Sequence, residues 1–110
     1  MNPEAFRSAA LSLPEAYEQA HFERASFRVR GKIFATLKAE QAVLKLDVEE
    51  QAALVAADPE TFFLPGGNQQ GWTGVHLDSA DKSEIEALIM AAWRNVAPKK
   101  LARSIDTQED

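Results

Sequence analysis

The residues of this sequence best suited to binding chemistry are cations, and they are concentrated between positions 24 and 46. Six positive residues and one acid, Glu40, give this segment a charge of +5, and the formal net charge of −5 leaves −10 for the rest of the chain. The positive residues are Arg24, Arg28, Arg30, Lys32, Lys38 and Lys45. Cations at this density neutralise phosphates, and the ring of Phe34 among them can stack on a base. The alternative is a solvated strand face, whose long side chains cover the sheet and discourage edge pairing.

Signatures of catalysis and of metal binding are absent from the sequence. It has two histidines, but neither lies in an HExxH metal-binding motif, and the GxSxG motif of serine nucleophiles does not occur. The glycine-rich stretch GGNQQG lacks the lysine of a phosphate-binding loop. We therefore expect a protein that is not an enzyme, with no catalytic residue, metal or cofactor. A pocket or contact patch near Asn68, Trp72 and His76 is a weaker alternative.

Alternating polar and apolar residues predict a strand meander that positions the cations. An odd-length turn around Gly31 would place one apolar set on an inner face: Phe27, Val29, Ile33, Ala35 and Leu37. A third strand over residues 42–47, joined by a short turn at Glu40-Gln41, would pair Leu37 with Leu44. The outer face would then contain Arg28, Arg30, Phe34, Thr36, Lys38, Val43 and Lys45.

Helical signals surround this meander. Asn2-Pro3 predicts a helix start, and the spacings Asp47 to Glu50 and Asp81 to Glu84 predict two more. Apolar residues from position 85 to 96 follow helical periodicity, residues 72–78 alternate again as a strand, and a short helix can follow Pro98. Runs of strands with flanking helices predict an α+β fold, an antiparallel sheet with helices packed on one face in two layers.

The length of 110 residues predicts one domain, which we place at residues 1–105 with a frayed tail at 106–110. The sequence has no cysteine, no signal-peptide pattern and no apolar run long enough for a membrane span. We therefore expect a cytoplasmic protein without a membrane partner.

Five segments together resemble the MmcQ/YjbR-like family of small bacterial proteins: LPEAYE (13–18), FRVRGKIFATL (27–37), VLKLDVEEQAALVAADPETF (43–62), GWTGVHLD (71–78) and AWRNVAPKKL (92–101). The resemblance covers nearly the whole chain, and none of the segments is a catalytic signature. It implies a secretion-chaperone-like fold of helix, three strands, helix, two strands and helix, with an additional strand at or beside residues 61–65. Relatives often have Trp-Gly and Pro-Thr-Phe before the first strand, where this chain reads AHFERASF.

Members of this family are commonly described as DNA-binding proteins, so the resemblance implies DNA as a partner. The pattern residues that it carries over are Phe27, Arg28, Gly31, Lys32, Phe34, Lys45, Asn68, Trp72 and Trp93. We expect non-enzymatic DNA binding through the basic sheet face, with contacts from Arg28, Arg30, Lys32, Phe34, Lys38 and Lys45. The alternative is a protein- or peptide-interaction module, with Phe62, Phe63 and Trp72 as its contact patch.

Overall fold

The computed structural model describes residues 1–66 and 70–107. The helices are α1 (Pro3–Leu11), α2 (Val48–Ala57), α3 (Lys82–Val96) and α4 (Lys99–Thr107), and a 3₁₀ turn covers Leu77–Ser79. The strands are β1 (Tyr17–His21), β2 (Arg24–Val29), β3 (Lys32–Lys38), β4 (Gln41–Lys45), β5 (Phe62–Phe63) and β6 (Trp72–His76). No helix in these ranges combines the length and apolar character needed to cross a membrane.

The six strands form one antiparallel sheet in the order β1-β2-β3-β4-β6-β5. Helix α3 packs against β3 and β4, and α1 packs against α3 and β3, so these two helices lie on one face of the sheet. The α+β prediction is confirmed. The meander has one more strand than expected, β1, and the additional strand expected near residues 61–65 is β5.

Polar side chains fix the starts of α1 and α3. The Asn2 side chain accepts a hydrogen bond from the Ala5 amide at 2.7 Å, and the Asp81 carboxylate accepts one from the Glu84 amide at 3.0 Å. Each bond satisfies an amide that has no partner within its helix. Asp47 occupies the corresponding position before α2 but makes no side-chain capping bond.

The core lies between α3, α1 and the sheet. Helix α3 contributes Ile85, Leu88, Ile89, Ala92 and Trp93. Trp93 is fully buried, and its indole N–H donates to the carbonyl oxygen of Pro14 at 3.1 Å, which ties α3 to the loop before β1. In the same core the rings of Phe6, on α1, and Phe27, on β2, meet edge to face with their centres 5.9 Å apart. Aromatic packing of this kind fixes how the helices sit on the sheet.

The β2–β3 hairpin corrects the predicted assignment of faces. Its turn has two central residues, Arg30 and Gly31, with φ of 52° and 82°, as in the type I′ turn that suits hairpin twist. An even-length turn would reverse the face of every residue in β3, but the pairing shifts by one residue between Phe27 and Arg28. This bulge restores the register beyond it.

Two side chains change faces as a result. Ile33 pairs with Arg28 and lies on the opposite face from the core, although the odd turn predicted it inside. Phe34, predicted on the outer face, is fully buried within the core cluster. The following hairpin turns at Ala39-Glu40, so that Ala35 pairs with Leu44 and Leu37 with Ala42.

Candidate functional site

The outer face of the sheet is the face opposite α1 and α3, and one row of paired residues crosses it from edge to edge. Residues paired across strands share a face. The pairings join Gln19, Ser26, Thr36, Val43, Gly74 and Phe63 in that order. Arginines, lysines and aromatic rings flank this row on both sides, and the central positions are small or β-branched. The face is therefore low in its middle and raised around it.

A cavity of about 270 Å³ opens in the middle of this face. Ile33, Thr36 and Val43, on the two central strands β3 and β4, form its floor. Trp72 and Pro65 line it from the β6–β5 side of the sheet, and His21 and Arg24 from the β1–β2 side. The cavity thus combines an apolar floor with an aromatic wall and a cationic wall.

The cations of the outer face differ in how firmly they are held. Arg28 is half-buried, and its Nε donates to Ser26 Oγ at 3.0 Å while its Nη2 lies 3.4 Å from His21 Nδ1. Lys38 forms an exposed ion pair with Glu23 at 3.1 Å. The Arg24 side chain is exposed and makes no hydrogen bond or ion pair with any described residue. Arg24 is therefore the cation most available to an anionic ligand.

Trp72 is fixed from two directions. The ammonium group of Lys45 lies 5.1 Å from the centre of its ring and also donates to the carbonyl oxygen of Gln70 at 2.9 Å. The side chain of Gln51, buried at the start of α2, donates to the carbonyl oxygen of Trp72 at 2.7 Å. A cation over the ring and a tethered backbone hold the indole in place before any ligand arrives.

A second aromatic pair lies on β5 and β6. The rings of Phe63 and His76 stack with their centres 4.4 Å apart. Phe63 also covers Gly74, because a Cβ atom at position 74 would come within 2.4 Å of the Phe63 ring. Glycine at this position is what lets the aromatic ring lie flat on the sheet.

The hairpin between β1 and β2 ends in an exposed aromatic residue. Phe22 is 93% exposed, has φ of 58°, and contacts the ring of His21 edge to face with centres 4.7 Å apart. A shallow groove lined by Phe22, Glu23, Arg24 and Lys38 lies beside the cavity, and the two share His21 and Arg24. The outer face therefore offers a continuous path from Trp72 to the hairpin tip.

The predicted site residues fall into three groups. Arg28, Lys38 and Lys45 share the outer face with Trp72 and His76. Arg30 and Lys32 do not: Lys32 pairs with the buried Val29, and Arg30 binds both carboxylate oxygens of Glu15 in the loop after α1. Phe34 lies in the core, and Asn68 is outside the described residues.

The ion pair of Arg30 with Glu15 is exposed and shifts both groups. The hydrogen bonds from the guanidinium lower the pKa of the Glu15 carboxyl, and the same bonds raise the pKa of Arg30. Arg30 also lines a separate depression with Pro98, Lys100 and Leu101 near α4. The charge of Arg30 is therefore paired with Glu15 and lies away from the outer face.

Sequence reasoning missed four residues that line the cavity: His21, Arg24, Ile33 and Pro65. Arg24 belonged to the basic segment from the start, but without β1 in the prediction it had no neighbouring strand to place it. Ile33 was assigned to the inner face because the turn around Gly31 was expected to have an odd length. Within residues 1–66 and 70–107, no cluster of three or more His, Asp or Glu side chains is arranged to hold a metal ion.

Comparison with known proteins gives the family and the fold. The family model described as YjbR matches residues 11–95. A crystal structure of the Deinococcus radiodurans protein DR2400, with a DUF419 domain, superposes with a TM-score of 0.76 at 23% identity, covering 86% of this chain and 78% of that one. No curated protein matches the sequence. The family match spans most of the chain, including every strand and the cations of the outer face, and this chain belongs to the YjbR family.

Proposed function

We propose that this protein is a non-enzymatic DNA-binding protein that contacts phosphates through the outer face of its sheet. The observation that carries the proposal is the gathering of Arg24, Arg28, Lys38 and Lys45 on that face, in a chain whose net charge is −5. The description of this family as DNA-binding points the same way. The absence of cysteine agrees with a cytoplasmic protein, which is where we place this activity.

The charges on this face are arranged for contact with a polyanion. Arg24 has no partner among the described residues, so binding a phosphate breaks no bond that its side chain makes with them. Lys38 would exchange an exposed pair with Glu23, which contributes little to stability. Each phosphate that a cation neutralises releases a counterion, so the affinity must fall as salt rises.

The test is fluorescence anisotropy of labelled DNA, as duplex and as single strand, over a range of salt concentrations. The variant Arg24→Gln/Lys38→Gln removes two charges and one exposed ion pair from the outer face. We expect weaker binding at every salt concentration and a salt slope that is shallower by about 1 for each lost phosphate contact.

A matched control comes from the other side of the sheet. The variant Arg30→Gln/Lys32→Gln also removes two charges and one exposed ion pair, but both residues lie off the outer face. It should bind DNA nearly as well as the parent. An equal loss of DNA affinity in the two variants would mean that net charge, and not the outer face, determines binding. If the parent protein bound no DNA at low salt, the proposal would be excluded.

Interaction with another protein is the second candidate, and the open edge of the sheet supports it. Among the described residues, strand β1 pairs with β2 alone, and its residues Tyr17 to Ala20 are exposed, so a peptide could add as a further strand. The contact patch expected at Phe62 and Phe63 lacks this support, because Phe62 is 1% exposed and Phe63 is stacked on His76. Failure to bind DNA at low salt would make this edge the surface to test.

A further inference from the structure

We propose that the cavity in the outer face receives one unpaired nucleobase, so that the protein binds single-stranded DNA in preference to duplex. This inference rests on the proposed function and adds the form of DNA that the face recognises. It follows from the size of the cavity, from the indole that forms one wall, and from Arg24 opposite, an exposed cation with no partner among residues 1–66 and 70–107.

The cavity is small and open to solvent, which suits a single base better than a larger ligand. Its volume of about 270 Å³ lies below the usual range of sites for drug-sized ligands, which begins near 300 Å³. Ile33 and Val43 give it an apolar floor, and the Thr36 hydroxyl adds one polar group there. A base in a duplex is stacked on both faces and cannot enter such a cavity without leaving the helix, whereas an unpaired base can.

The indole ring of Trp72 can stack on a nucleobase in the cavity. Lys45 and Gln51 hold the residue in place, so little conformational freedom is lost when a base packs against it. The ring is only half-buried, and it lines the cavity. An exposed aromatic ring beside cations is how proteins bind the bases of single strands without reading their sequence, and Trp72 beside Arg24 offers both.

Arg24 and the groove beside it can contact the backbone and the neighbouring bases of the DNA strand. The Arg24 side chain lines the cavity on the side away from Trp72 and also lines the groove towards the hairpin tip. A base against Trp72 would leave its phosphate towards the exposed guanidinium of Arg24. The groove continues past Lys38 to the exposed ring of Phe22, which can stack on a neighbouring base.

The test compares DNA probes that differ only in their bases. A labelled thymidine strand of about 12 nucleotides, within the site sizes of single-strand binders, is compared with an abasic strand carrying the same number of phosphates. A matching duplex and free thymidine monophosphate complete the set. Binding is followed by anisotropy and by the fluorescence of Trp72, since the second tryptophan, Trp93, is fully buried in the core.

We expect the thymidine strand to bind more tightly than both the duplex and the abasic strand, by about 5- to 150-fold over the latter, and to quench Trp72. Trp72→Leu should abolish this preference and leave binding of the abasic strand unchanged. Val43→Phe, which fills the cavity floor and keeps the tryptophan, provides an independent variant and should have the same effect. Arg30→Gln/Lys32→Gln should keep the full preference.

The outcomes separate this inference from the proposed function. Equal binding of the thymidine and abasic strands without quenching would overturn the base-binding cavity and leave phosphate binding intact. Duplex binding as tight as that of the single strand would also overturn it. Quenching by the free monophosphate at concentrations as low as those of the strand would assign the cavity to a free nucleotide and overturn it too. No binding of any DNA at low salt would remove the proposed function itself.

Discussion

At the scale of single residues, Phe22 is a large apolar side chain that lies outside the core. Its ring is 93% exposed, and its φ of 58° lies in the left-handed region that only glycine and a few polar residues adopt readily. Such local strain is commonly retained at functional sites. Glu15, Arg30 and Ala39 share this backbone conformation, so what distinguishes Phe22 is its exposed ring, which the proposed contact with DNA would use.

Replacing Phe22 should separate stability from binding. Phe22→Gly relieves the backbone and should raise the free energy of unfolding by about 1 kcal/mol, measured by urea denaturation. The same variant should bind single-stranded DNA more weakly, because it loses the ring at the end of the groove. Phe22→Ala is the control, since it removes the ring and keeps the strain. A Phe22→Gly protein no more stable than Phe22→Ala would show that the turn is unstrained.

At the scale of elements, the sequence predicted what periodicity and capping determine. The starts of α1 and α3 were recognisable from Asn2 and Asp81, and the apolar stripe of α3 identified its buried face. Strand β1 gave no such signal, because an edge strand with four exposed residues shows no alternation. The segment YEQAH has no strand pattern of its own, and only its pairing with β2 identifies it as a strand.

The side of the sheet on which each β3 side chain lies is set by the turn length and by a bulge, neither of which can be read from alternation. The two-residue turn at Arg30-Gly31 and the bulge beside Phe34 each change the phase of the strand by one residue, and their effects cancel beyond Phe34. The alternation around Phe34 therefore gave the wrong face for Ile33 and Phe34 and the right one for Ala35 and Leu37. The cavity floor at Ile33 is a direct product of this bulge.

The contact of β5 with β6 gives a prediction at this scale. Gly74→Ala would place a methyl group within 2.4 Å of the Phe63 ring, which is stacked on His76. The ring must swing away and lose that stack, so we expect a loss of about 1–3 kcal/mol in the free energy of unfolding, as for other overpacked sites. A double-mutant cycle with Phe63→Leu measures the coupling. Equal costs of Gly74→Ala in both backgrounds would show that Phe63 is not the obstacle.

At the scale of the whole molecule, the sheet separates the residues that hold the fold from those available for binding. The core between the sheet and α1 and α3 contains Trp93, whereas the outer face carries Trp72 and the exposed cation Arg24. Substitutions of the exposed cations of the outer face, such as Arg24 and Lys38, should therefore change binding with little effect on folding. Substitutions in the core should do the reverse.

The two tryptophans make this division measurable. In Trp72→Phe the remaining emission comes from Trp93, which is fully buried and bonded to Pro14, so it should resist quenching by acrylamide until the protein unfolds. Its unfolding transition in urea should coincide with that of the far-UV circular dichroism, as for a single cooperative domain. In Trp93→Phe the emission of Trp72 should be quenched in the native state, and the loss of the indole from the core should lower the free energy of unfolding by at least about 1 kcal/mol. Quenching of Trp93 in the native state, or two separate unfolding transitions, would contradict this prediction. Either result would mean that the sheet and α3 do not unfold as one cooperative unit.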